Sequence, residues 1–103
     1  MFNYLKTFRR RAGFSQEQLS LLLGYQDRSC ISKYENSALE PNLSTLIAYQ
    51  VIFQTDLQEL FPDLYQKVEG EVLQRVQTLI DTLVLEEVSP MQERRLSILR
   101  EAL

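Results

Sequence analysis

Two short helical patterns on either side of a single glycine constrain this chain more than any other feature of it. The residues run Phe14-Ser15-Gln16-Glu17-Gln18-Leu19-Ser20-Leu21-Leu22-Leu23-Gly24-Tyr25, and then Arg28-Ser29-Cys30-Ile31-Ser32-Lys33-Tyr34-Glu35-Asn36. Ser15 is a helix cap, and Gln18 three residues on is placed to reach back to the cap residue's own amide, completing a capping box. Phe14 and Leu19 stand at the positions of a hydrophobic staple, which fixes the angle at which the chain enters the helix. Gly24 follows the last apolar residue, where a left-handed backbone ends a helix most cheaply. Asp27 is suited to cap the second helix with its carboxylate at the positive end of the dipole. Ile31 and Tyr34, three apart, give that helix one apolar face, so Arg28, Ser29, Ser32 and Lys33 are left free to touch something else. Helix, tight turn and polar-faced helix together are the arrangement expected of a DNA-reading element.

Composition excludes several alternatives. The chain has 103 residues, 45 % of them hydrophobic, which suits one small globular domain with an extension and not two large domains. It contains no histidine, the commonest general acid–base and metal ligand, so histidine triads and zinc hydrolase sites are excluded. Cys30 is the single cysteine; neither an intrachain disulfide nor a cysteine metal cluster can form, and the thiol reads as a small, partly buried side chain. No carboxylate pair has a catalytic setting, and Glu86-Glu87 reads as a solvated charge run. Neither enzyme activity, a cofactor nor a metal is expected. Lys6, Arg9, Arg10 and Arg11 are followed by no long apolar run, so the expectation is a cytoplasmic protein without signal peptide or membrane span.

The net charge of −3 is unevenly divided. Residues 1–41 carry six basic against four acidic side chains, whereas residues 42–103 carry five against ten. The basic half is the one able to face phosphates, and the acidic half is left to face away or to meet another protein.

Apolar periodicity and caps predict helices at about 2–12, 16–23, 28–36, 43–53, 57–61, 63–85 and 90–101, with no competing strand pattern. Asn42 and Asp56 cap the fourth and fifth helices. Leu43, Leu46 and Ile47, with Gln50, are spaced as one stripe of the fourth. Ser89-Pro90 opens the last helix in the usual way, a capping hydroxyl followed by proline at the first position. After Pro62, Tyr65, Val72 and Leu79 recur every seven residues with Val68, Val76 and Leu83 beside them, and the last helix carries Leu96, Leu99 and Leu103 on one side. A helical hairpin is the simplest way to bury both stripes.

These residues resemble the helix-turn-helix family of phage Cro and cI repressors, also called the XRE family. The matching pattern is a basic first helix ending in Ala12-Gly13-Phe14, then Ser15-Gln16-Glu17-Gln18-Leu19, Leu23-Gly24 and Ile31-Ser32-Lys33-Tyr34-Glu35-Asn36, continuing through Pro41, Leu46 and Leu60. It covers roughly residues 4–61. The resemblance implies an all-α fold: a five-helix, lambda-repressor-like DNA-binding domain over residues 1–61, with residues 62–103 as a helical extension. It also implies that the second helix of the motif lies in the major groove while the helix before it crosses the phosphate backbone. Arg28, Ser29, Ser32 and Lys33 then become the base-contacting residues, and Gln16 and Asn36 the phosphate-contacting ones. Arg28 is the main specificity residue on this reading, since a guanidinium meets O6 and N7 of guanine with two hydrogen bonds. Arg9 and Glu35 take a structural role, as an ion pair inside the domain.

Two departures from the family pattern matter. The loop from Ser37 to Glu40 carries no basic residue to grip the backbone, and Ser37 stands where glycine is common, so Asn36 or Ser37 must adopt the left-handed conformation. The turn Tyr25-Gln26-Asp27 is also one residue longer than the family's shortest. Modest contact per subunit makes dimerisation a requirement: two motifs spaced by roughly 34–36 Å read an inverted repeat. Tyr65, Val68, Val72, Val76, Leu79, Leu83, Leu96 and Leu99 are the expected interface of a homodimeric transcriptional regulator. The alternative reading gives the acidic C-terminal helices to a partner protein, as in antitoxins with this domain type.

Overall fold

The computed structural model describes residues 1–24, 27–86 and 89–103, and all its regular elements are helices. In chain order they are α1 (Leu5–Ala12), α2 (Gln16–Leu22), α3 (Ser29–Glu35), α4 (Leu43–Phe53), α5 (Leu57–Leu60), α6 (Pro62–Leu83) and α7 (Pro90–Ala102). Tyr25, Gln26 and Glu87, and with them the expected long turn and half of the Glu86-Glu87 run, lie outside the described residues. The chain divides into two compact units, Met1–Gln66 and Lys67–Leu103, so the first unit includes the opening turn of α6 as well as the five helices expected of it.

The first unit closes around Leu5, Leu19, Ile31, Tyr34, Tyr49 and Leu60, one or two residues from each of α1 to α5. Phe8, Leu23, Cys30, Ile52, Phe53 and Phe61 pack against this core, which leaves the Cys30 thiol half-buried in it. Burying side chains of this size contributes about 1.5–3 kcal/mol each, so short helices that are marginal alone are held by their shared core.

The local chemistry explains most of the boundaries. At α2 the capping box is complete: the Gln18 amide donates to Ser15 Oγ at 3.0 Å and the Ser15 amide donates to Gln18 Oε1 at 2.9 Å. Gly24 follows α2 at φ +80°. α1 ends in a Schellman turn, with Gly13 at φ +81° and the Phe14 amide donating to Arg9 O at 3.2 Å. The same turn ends α3, where the Ala38 amide donates to Lys33 O at 2.9 Å and Ser37 occupies the left-handed position at φ +59°. Ser37, and not Asn36, thus takes the place of the usual glycine.

Two expectations about these helices are corrected. α1 begins at Leu5 and not near residue 2, because Asn3 uses its side chain where a helix would use backbone. Asn3 is buried; its Oδ1 accepts from the Leu5 amide at 3.0 Å, and its Nδ2 donates to Tyr34 O at 3.0 Å and Ser37 Oγ at 3.1 Å. Ser37 Oγ in turn donates to Met1 O, and the Tyr4 amide donates to Leu60 O at 2.9 Å. The N-terminus is thereby stitched to the ends of α3 and α5. Asn3→Ala removes the acceptor of the Leu5 amide and one of two donors to the Tyr34 carbonyl, which keeps the Ser37 amide, so it is expected to lower stability by about 1–2 kcal/mol in urea unfolding. A loss below about 0.5 kcal/mol would show that the stitch contributes nothing net.

The second correction concerns α4. Thr45 and Tyr49 are buried and Leu46, Ile52 and Phe53 half-buried, whereas Leu43 and Ile47, expected on the inward stripe, are exposed together with Val51. α4 is apolar all the way round, so its sequence gives no preferred face.

In the second unit, α6 buries Val76, Ile80 and Leu83, while Leu96 and Leu99 of α7 are half-buried and Leu103 is exposed. Ser89 Oγ accepts from the Gln92 amide at 3.2 Å to cap α7. The buried Gln92 side chain donates to Leu83 O and to a Glu86 carboxylate oxygen, each at 2.9 Å, tying the first turn of α7 to the end of α6.

Candidate nucleic-acid interface

The polar face of α3 is positioned by an ion pair that joins three helices. Arg9, on α1, donates from Nε to Glu35 Oε2 at 2.6 Å and from Nη2 to Oε1 at 3.1 Å, a forked pair with both side chains nearly out of solvent. The third arm of the guanidinium, Nη1, donates to Phe14 O at 2.9 Å, in the turn between α1 and α2. Gln16, the first residue of α2, donates from Nε2 to Glu35 Oε1 at 3.2 Å. The end of α3 is therefore clamped to the end of α1 and the start of α2. Hydrogen bonding to Glu35 raises the Arg9 pKa above its ordinary value in spite of the burial, so the charge persists at every working pH.

At its other end α3 opens on Arg28 and Asp27. The Asp27 carboxylate accepts from the Ser29 amide at 2.8 Å and the Ser29 hydroxyl at 2.7 Å, and these two bonds hold its pKa below the usual carboxylate range. Asp27 does satisfy the start of the helix, but from one residue before the half-helical Arg28. Arg28, Ser29 and Lys33 are exposed; Ser32 is half-buried. The exposed Asn36 donates to Ser32 Oγ at 3.4 Å.

The residues singled out from the sequence are thus brought together, although not all equally free. Arg28 and Lys33 project into solvent. The Ser29 hydroxyl is engaged by Asp27 and must exchange that partner to donate to a base edge. Gln16 holds Glu35 with one amide hydrogen and keeps the second, so it both braces the motif and retains a donor. Asn3 was missed altogether, and so was the Phe14 carbonyl; neither carries a motif, and only the resulting contacts give them a role.

The geometry of α2 and α3 has a counterpart among known sequences. A family model described as Helix-turn-helix matches residues 5–60, more than half of the chain. The chain belongs to this helix-turn-helix family. It is accordingly a DNA-binding regulator of the XRE type, with further helices beyond the family's shared domain. No curated protein and no solved structure matches it. Among the described residues of this helix-turn-helix protein, no helix is long and apolar enough to cross a membrane.

Of the residues expected at a dimer interface, Val76 and Leu83 are buried in the single chain and Leu96 and Leu99 half-buried. Tyr65, Val68, Val72 and Leu79 are exposed along α6. The available surface is therefore narrower than the sequence pattern implied.

Proposed function

We propose that this XRE-type regulator reads a short inverted repeat as a homodimer, with α3 of each copy in the major groove. Arg28, Ser29, Ser32 and Lys33 face base edges, while Gln16 and Asn36 contact phosphate. The observation that carries this reading is the clamp of Arg9, Gln16 and Glu35. It fixes α3 against α2 while leaving Arg28 and Lys33 exposed at 28 and 33, more than a turn apart on the same helix. Residues 62–103 serve dimerisation through the exposed side chains Tyr65, Val68, Val72 and Leu79 of α6, a run of large apolar groups along one helix.

The test is selection of bound DNA from a random pool, with the full chain, followed by Arg28→Ala on the selected site. A palindromic consensus is expected. Arg28→Ala is expected to lower affinity by about 1–3 kcal/mol and to relax preference at one base pair in each half-site. Lys33→Ala has the smaller effect on preference. Absence of binding to any DNA at about 50 mM salt, where phosphate contacts are strongest, would overturn the reading. Recovery of a non-palindromic site, or a stable second protein held on α6, would overturn the homodimer.

A further inference from the structure

Beside the two cations offered to DNA stands a carboxylate that DNA binding does not by itself call for. Asp27 is exposed next to Arg28, and the charges of both Arg28 and Lys33 reach it. Phosphate repels it. Starting α3 does not require the charge, because asparagine and serine cap a helix about as well as aspartate does.

The bond to Ser29 shows what the charge does there. An ionised carboxylate has no hydrogen to give, so in the 2.7 Å contact the Ser29 hydroxyl is the donor and its single hydrogen is spent on Asp27. The lone pairs of Ser29 Oγ remain, as do those of the carboxylate beyond the two that meet the Ser29 amide and hydroxyl. Asp27 and Ser29, both exposed, are therefore a pair of side chains that can only accept.

We infer that Asp27 is a specificity-determining residue, which fixes Ser29 as an acceptor and with it takes the exocyclic amine of a cytosine in the major groove. This rests on α3 lying in that groove, as proposed above. Guanine presents O6 and N7 there and thymine O4, all acceptors, which an acceptor-only pair repels. Adenine offers an amine but sets its N7 acceptor beside it, whereas the cytosine edge carries the N4 hydrogens and no acceptor. Arg28 makes the opposite demand. Its guanidinium only donates and takes guanine, so residues 27 and 28 select opposite bases. The negative charge lowers affinity for every phosphate nearby, and what it supplies is discrimination.

Selection from a random DNA pool tests this, using the full chain and the variants Asp27→Asn, Ser29→Ala and Arg28→Ala once circular dichroism shows each to be folded. The unmodified chain is expected to prefer cytosine over thymine by about fivefold or more at one position of each half-site, distinct from the guanine lost in Arg28→Ala. Asp27→Asn keeps an oxygen for the Ser29 amide, so α3 starts in the same place, but it replaces the second oxygen by an NH2 donor. Ser29 then accepts from that amide and turns its own hydrogen outward. Preference at the cytosine position is expected to fall below about twofold or to pass to guanine or thymine. Affinity for non-specific DNA is not expected to fall, since a charge that repels phosphate is gone. Ser29→Ala leaves the carboxylate and is expected to weaken the cytosine preference without moving it to another base. An unchanged cytosine preference in Asp27→Asn, or none in the unmodified chain, would overturn the inference, while an Arg28-dependent guanine leaves the DNA reading standing. A uniform loss of affinity in Asp27→Asn with the same consensus means that the carboxylate only builds the start of α3, and overturns it too. If the unmodified chain selects no sequence at all, the DNA reading itself falls and takes this inference with it.

Discussion

Glu35→Ala is expected to lower the stability of the folded chain by about 3–5 kcal/mol, because it strands the Arg9 guanidinium in a site already closed to water. The Glu35 side chain is 2 % exposed and that of Arg9 10 %, so solvent cannot replace the lost partner without opening the domain. Gln16 loses its acceptor in the same step. For a domain of this size each kcal/mol moves the melting temperature by about 4–8 °C, and the variant is expected to be largely unfolded at physiological temperature. The comparison that isolates the pair is Arg9→Met with Glu35→Leu. Exchanging both charges for apolar groups of similar volume is often nearly neutral, so the double variant is expected to be more stable than either single one. Denaturant unfolding of these four variants beside the unmodified chain checks this, and a loss below about 1 kcal/mol for Glu35→Ala would place the pair with ordinary surface ion pairs. The double variant also separates folding from reading: it retains a core but lacks the clamp that orients α3, so its DNA affinity is expected to recover less than its stability does.

How much of this could be read from the sequence depends on whether the deciding interactions are local. α2 was legible because its cap, staple and stop are all within ten residues of one another, and Ser15, Gln18 and Gly24 do in the structure what their spacing announced. The left-handed residue after α3 was legible to within one position. α1 was misjudged at its start because Asn3 answers to Tyr34 and Ser37, more than thirty residues away, and no pattern near Asn3 encodes that. α4 failed for the opposite reason. Its apolar residues lie on every side, so periodicity could not tell Tyr49, which is buried, from Leu43 and Ile47, which are not. On α6 the seven-residue repeat merged two faces. Val76, Ile80 and Leu83, spaced by four and three, fill the unit's own interior, while Tyr65, Val72 and Leu79 lie exposed at the edge of the same stripe, a division that apolar spacing alone does not contain. At the candidate interface, residue types chose Arg28 and Lys33. What they could not supply was the competition: Ser29 held by Asp27, Asn36 by Ser32 and Gln16 by Glu35.

That competition bears on the second large effect, which concerns assembly more than contact. With four of the six expected contact side chains already hydrogen-bonded, Gln16, Ser29 and the Ser32–Asn36 pair, and no basic residue in the loop from Ser37 to Glu40, one copy offers Arg28 and Lys33 as exposed cations at α3. Val72→Glu, on the exposed side of α6, leaves the buried residues Val76, Ile80 and Leu83 untouched and is expected to fold normally. It places a carboxylate among the exposed apolar side chains Val68 and Leu79 in the proposed dimer contact, at the cost of desolvating a charge there. Sedimentation is expected to show a dimer for the unmodified chain and a monomer for the variant. Joining two weak readers multiplies their affinities through effective concentration, so affinity for an inverted repeat is expected to fall by about 10²–10⁴ in Val72→Glu while affinity for an isolated half-site is unchanged. Arg28→Ala gives the converse pattern, weakening half-site and full site alike while the dimer persists. If the unmodified chain sediments as a monomer at high micromolar concentration, the α6 contact does not hold two copies together. If Val72→Glu is monomeric yet binds the inverted repeat as well as before, the second copy is recruited by the DNA itself, and α3 carries more affinity than its two exposed cations account for.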